Sequence, residues 1–155
     1  MRYAMLLLVP LCLSGCGDED STGLSSDFPR AFTASSESCG FRVGLQVDNE
    51  QGVSVETTWM STVERSAERL FSGEATTVRR LLRVFSGEVL EETHTGEYRP
   101  SAVDGTWEVD IVPVSTSGSF MATGSGTGEL AGRSIDFEME PLSDGCGYTS
   151  SGTIR

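Results

Sequence analysis

The sequence predicts a mainly β protein, an antiparallel barrel or sandwich, with a possible short helical insertion around 61–86. Three observations carry this. Apolar and polar residues alternate with period two in one segment after another. Clusters of Gly, Asn, Asp, Ser and Pro separate those segments at short intervals. The chain of 155 residues is long enough for one domain with a single core.

The N-terminus comes first. Arg2 precedes the apolar run from Tyr3 to Leu13, which is too short for a helix to cross a hydrocarbon layer of about 30 Å. A charged start, a short apolar core and small residues before a cysteine make the layout of a secretory signal peptide. Leu13-Ser14-Gly15-Cys16 resembles the lipobox of bacterial lipoproteins. That resemblance implies cleavage before Cys16, palmitate-type acylation of Cys16 on its sulfur and amino group, and a membrane partner reached through the lipid. Several acyl chains are the physical requirement, because one chain holds only marginally. The resemblance also implies a location in the cell envelope, the outer membrane being favoured because Gly17, not Asp, follows the cysteine.

From Gly17 to Asp27 the chain is acidic and rich in Ser and Gly, and it cannot bury enough apolar surface to order itself. The expected organisation is a signal peptide over 1–15, a lipidated flexible tether over 16–30, and one β domain over 31–155. The chain has no Lys, and its formal charge is −12. Loss of Arg2 with the signal would make the remainder more acidic still. That balance argues against nucleic acid as a partner.

Cysteine arithmetic follows. With Cys12 removed and Cys16 acylated, Cys39 and Cys146 are left as a pair in an oxidising compartment, where a disulfide is expected. Closing a loop of roughly 100 residues would be worth about 4–5 kcal/mol on the chain-entropy argument. Each cysteine begins a Cys-Gly-aromatic triplet, Cys39-Gly40-Phe41 and Cys146-Gly147-Tyr148.

The strands can be taken in order. Phe41, Val43, Leu45 and Val47 alternate with polar residues and are expected to face a core. Asn49 to Gly52 supplies a turn, and Val53, Val55, Thr57 and Trp59 alternate after it, so the two segments read as a hairpin. Trp107, Val109 and Ile111 form a later strand that Pro113 confines to an edge or an end. Phe120 to Leu130 is strand-like and Gly-rich. Ile135, Phe137 and Met139 alternate with acids, Pro141 to Gly145 turns, and Cys146 to Ile154 closes the domain.

The middle of the chain supports two readings. Val63, Ala67, Leu70 and Phe71 fall at helical spacing, as do Val78, Leu81, Leu82 and Phe85, and Ser61 with Glu64 fits a capping box. Continuing the alternation of Val53 to Trp59 through Ser61 and Val63 gives one long strand of a meander instead. Phe-Ser-Gly-Glu recurs at Phe71 and Phe85, too few copies for a repeat architecture.

No residue set points to catalysis, a cofactor or a metal. His94 is the single histidine and reads as an ordinary strand residue, since a catalytic histidine needs a nucleophile and an orienting partner. Two cysteines and one histidine offer no zinc constellation. Gly124 to Gly128 lacks the Lys and helix of a phosphate loop, and its glycines suit a bulge or close backbone approach. Glu88, Glu91, Glu92 and Glu97 lack calcium-loop spacing and read as a solvated face. Arg65, Arg69, Arg79, Arg80 and Arg83 read as surface ion-pair residues, and Trp59 and Trp107 as core.

The stretch from Trp107 to Ile154, with Gly124-Ser125-Gly126-Thr127-Gly128, Ile135-Asp136-Phe137 and Ser151-Gly152-Thr153-Ile154, resembles the closing meander of small lipocalin-like envelope lipoproteins. The resemblance implies a β-barrel that holds a small apolar ligand, by residues it does not identify. The alternative expectation is a structural or protein-interaction module with an envelope protein as partner. Neither is an enzyme.

Overall fold

In the computed structural model, residues 27–155 are described except Ser115, Thr116 and Asp144. The signal-peptide reading, Cys16 and most of the tether lie outside them. Eight strands run β1 (Arg30–Asp48), β2 (Val53–Ser66), β3 (Gly73–Val84), β4 (Val89–Pro100), β5 (Trp107–Pro113), β6 (Phe120–Gly126), β7 (Ser134–Pro141) and β8 (Tyr148–Ile154). Each pairs antiparallel with its neighbours in sequence, and β1 pairs with β8 to close a barrel. Of barrel and sandwich, the chain forms the barrel.

The helical insertion is not formed. The span 61–86 belongs to β2, β3 and the turns that flank β3. Thr62 pairs with Ala75 and Met60 with Thr77, so β2 and β3 share a continuous ladder that satisfies backbone groups a helix would have satisfied internally. The helical spacing at Val78, Leu81, Leu82 and Phe85 has another origin. Leu81 is buried, Val78 and Leu82 are half-buried on the opposite face, and Phe85 is exposed in a turn.

One end of the barrel is sealed. Phe71 stacks between Phe32, at 4.1 Å between ring centroids, and Tyr98 at 5.1 Å, while Phe137 meets Phe71 and Tyr98 edge-on at 5.1 and 5.3 Å. Leu70, Leu130, Ile154 and Trp107 complete this floor. Trp107 buries its whole indole and donates Nε1–H to the Leu70 carbonyl at 2.7 Å, which removes the cost of an unpaired buried donor. Val109, Ile111, Ile135, Phe137 and Met139 are buried as their alternation predicts. Gly124 and Gly152 fit because a side chain there would run into the backbone of Glu108 and Asp136, so the wall curves tightly where the side chain is missing.

The other end is open, because the strands are unequal. β8 pairs with β1 only at Arg30–Ser35, and β5 pairs with β4 only at His94–Tyr98. Beyond those points β1 to β4 continue without β5 to β8, as a four-stranded flap that ends in the turns at Asn49–Gly52 and Phe85–Glu88. Here the expected core face of β1 is corrected. Phe41, Val43, Leu45 and Val47 are 58, 63, 67 and 49% exposed, since the wall they would pack against ends below them. Trp59 is likewise not core: it is half-buried on the outer face, with the Arg42 guanidinium 4.4 Å from its ring centroid.

Where β1 leaves β8 the seam is stitched. A register shift at Ser36/Ser38 turns β1 away, and the Cys39–Cys146 disulfide, with Cα atoms 5.7 Å apart, ties it to the β7–β8 connection. The expected cysteine pair is therefore joined. Beside it the Tyr148 amide donates to Ser36 Oγ at 3.0 Å, and Ser36 Oγ–H donates to Glu64 Oε1 at 2.8 Å.

Candidate functional site

Above the aromatic floor, the open end of the barrel holds a cavity of about 550 Å³. Its sides come from period-two positions of strands on every side: Phe41 on β1, Met60 on β2, Ile111 on β5, Phe120 on β6, Met139 on β7 and Tyr148 on β8. Phe120 meets Tyr148 edge-on at 5.9 Å and lies 5.7 Å from the His94 ring. The lining is mostly apolar, with Thr58 and Thr77 among it, and the size suits a drug-sized molecule.

One polar group sits on the rim. The register of β3 and β4 sets Arg79 opposite His94, with Glu92 two residues away on the same face. Glu92 Oε1 accepts from His94 Nε2–H at 2.9 Å and from Arg79 Nε–H at 2.8 Å. Those two hydrogen bonds, His94's the larger, hold the Glu92 carboxyl below the ordinary carboxylate range. The network is partly exposed and lacks a nucleophile.

A second titratable group lies deeper. Glu64 is 3% exposed, and its Oε1 accepts from Thr62 Oγ1–H at 2.6 Å as well as from Ser36. Burial raises its pKa, and the two hydroxyl donors offset part of that. Its Oε2 is buried without a protein partner. Burial, and then the nearby Glu64 carboxyl, push the Tyr148 phenol up. Tyr98 is pushed up for the same reasons, and its hydroxyl donates to Met139 Sδ at 3.2 Å.

The outer wall has a larger depression, about 860 Å³, lined by Trp59, Thr76, Glu97, Glu108, Asp110 and Thr123 among others. Gly96 and Gly124 also line it. Glu97 and Glu108 are cross-strand partners there, a like-charge pair that opposes sheet formation. Its polar walls offer little to an apolar molecule, so the mouth is the better candidate.

Of the residues singled out in the sequence, Arg79, Glu92 and His94 meet at the mouth. Glu88 and Glu91 are exposed near the flap tip, Glu97 pairs with Arg99 on the outer wall, and Arg65 pairs with Glu37 at 2.7 Å. Arg69, Arg80 and Arg83 are exposed away from the cavity, and Gly124 to Gly128 belongs to the wall and the turn after it. Among the described residues, no group of three or more His, Cys, Asp or Glu side chains is placed to hold a metal ion. Glu64 was missed because its spacing from Ser61 fits a capping box; its alternation with Met60 and Thr62 is the signal that a strand reading would have used. The chain matches no described protein family, no curated protein and no solved structure.

Proposed function

We propose that this chain is a lipid-anchored envelope protein, acylated at Cys16, whose barrel holds a small apolar molecule in its open end. The observation that carries the binding reading is the mostly apolar cavity of about 550 Å³, with its polar network confined to Arg79, Glu92 and His94 at the rim and Thr58 and Thr77 in the wall, above a floor already filled by stacked aromatics. A barrel packed along its whole length would offer no such space. The disulfide and the lipobox-like start support an envelope location, the outer membrane being favoured.

The test is a fluorescence titration of residues Gly17 to Arg155, exported to a periplasm, with the neutral probe N-phenyl-1-naphthylamine. Thr77 lines the cavity and is only half-buried, so Thr77→Trp fills the space at little cost to the core. The wild type should bind with enhanced emission, and Thr77→Trp should bind at least about tenfold more weakly with an unchanged far-UV spectrum. No binding by the wild type, or equal binding by both, would reject the cavity as the site. A second reading, a protein-interaction module of the envelope, is supported by one feature, the exposed apolar ribbon of β1.

A further inference from the structure

The flap has two lateral edges, and they differ in a way that matters. On the β4 side, residues below His94 have no β5 partner. That edge carries Glu91 and Glu92, with Glu88 in the turn before it, and a bulge between Leu82 and Arg83 disturbs the ladder beside it. Charges and bulges are the devices that stop a free edge from pairing with another chain.

On the β1 side the register shift comes early, at Ser36/Ser38, and from Gly40 onward the ladder with β2 is unbroken. Past Ser35 the strand has no β8 partner. From Gly40 to Asp48 it reads Gly-Phe-Arg-Val-Gly-Leu-Gln-Val-Asp, without Pro or Lys and with Arg42 and Asp48 as its only charges. Its inner-side residues Val43, Leu45 and Val47 are 63, 67 and 49% exposed. A long apolar edge of this kind is a template for an added strand.

We propose that the occupant is a second copy of this chain, paired β1 to β1 and antiparallel about a two-fold axis at Leu45. The segment is complementary to itself in that register. Leu45 then lies opposite the partner's Leu45, Val43 opposite the partner's Val47, and Arg42 opposite the partner's Asp48, twice by symmetry. Apolar residues meet on one face and opposite charges on the other. Asp48 keeps Oδ1 for the turn amides of Glu50 and Gln51, at 3.0 and 3.1 Å, so Oδ2 remains for the partner's arginine. The register also begins at Arg42, clear of the β7–β8 connection that the disulfide holds against β1 at Cys39. The two flaps join into one eight-stranded sheet whose apolar ribbons merge between the two mouths.

The experiment is sedimentation velocity on residues Gly17 to Arg155, which contain every strand of the barrel, from micromolar to submillimolar concentration. The wild type should shift to twice the monomer mass as concentration rises. Leu45→Lys places two ammonium groups at the axis and, at so exposed a position, leaves the barrel's far-UV spectrum and Tm unchanged. It should weaken self-association at least tenfold. Under mild oxidation Leu45→Cys should trap a covalent dimer, while Val43→Cys, which faces the partner's Val47, should not. A wild type that stays monomeric overturns the proposal, as does a dimer indifferent to Leu45→Lys. Val43→Cys crosslinking as readily as Leu45→Cys overturns the register. A monomer that uses Leu45 to bind neutral phospholipid vesicles assigns the ribbon to lipid and also overturns it.

Discussion

Replacing Cys39 and Cys146 together by Ser removes a cross-link that spans 107 residues of sequence. For a loop of that length the chain-entropy argument gives a loss of roughly 4.8 kcal/mol at 25 °C. A domain of this size unfolds in urea with a slope of about 1.5–2 kcal/mol/M, so the midpoint should fall by roughly 2–3 M. The assay is equilibrium urea unfolding of wild type and double variant under non-reducing conditions, followed by tryptophan emission. Trp107 in the floor reports the barrel and Trp59 the flap. The slope should rise somewhat, because an unfolded ensemble freed of the cross-link exposes more surface while the native state keeps its fold. A midpoint shift under about 0.5 M with the same slope would refute the reasoning, because the denatured chain would then already be constrained without the cross-link.

Two further outcomes follow from single positions. Glu64 has a folded pKa raised above its unfolded value, so its contribution to stability is fully present below the unfolded pKa and is lost as pH rises through the folded one. Glu64→Gln has no such proton to lose, and the Tm difference, variant minus wild type, should grow from acid pH toward neutrality; a flat difference would show that burial does not hold the proton. Gly124→Ala would drive a methyl into the Glu108 backbone and the Val109 side chain, an overpacking that costs roughly 1–3 kcal/mol. Calorimetry should show a Tm lower by roughly 4–12 °C, and an unchanged Tm would mean the wall does not need its close approach.

The strands most readable in the sequence are those of the closed wall. Trp107, Val109 and Ile111, and Ile135, Phe137 and Met139, each have one face in the core and one in water, which is the condition that writes a period of two. β2 and β3 meet that condition only near the floor. Along β3 apolar residues fall on both faces, Leu81 buried on one and Val78 and Leu82 half-buried on the other, and together they blur the alternation into an apparent helix. Phe41 to Val47 kept the alternation without the burial, since strand length, which decides where the wall stops, leaves no mark on a single strand.

The mouth was the least legible part. Arg79, Glu92 and His94 were visible singly, but their meeting depends on the register of β3 against β4. Cys39 and Cys146 were legible because covalent chemistry needs only a count and a compartment.

The closure of the barrel has a consequence for how fast the molecule forms. Seven of its eight seams join strands that are consecutive in the chain, and the eighth joins β1 to β8 across nearly the whole length. Local hairpins can assemble early, each closing a short loop. The β1–β8 seam must instead wait for a chain of over 100 residues to return upon itself, and that search dominates the rate. A chain already cross-linked between Cys39 and Cys146 has made most of that search before folding begins, so oxidised protein should refold from urea faster than reduced, with the gain concentrated in the phase that closes the ring.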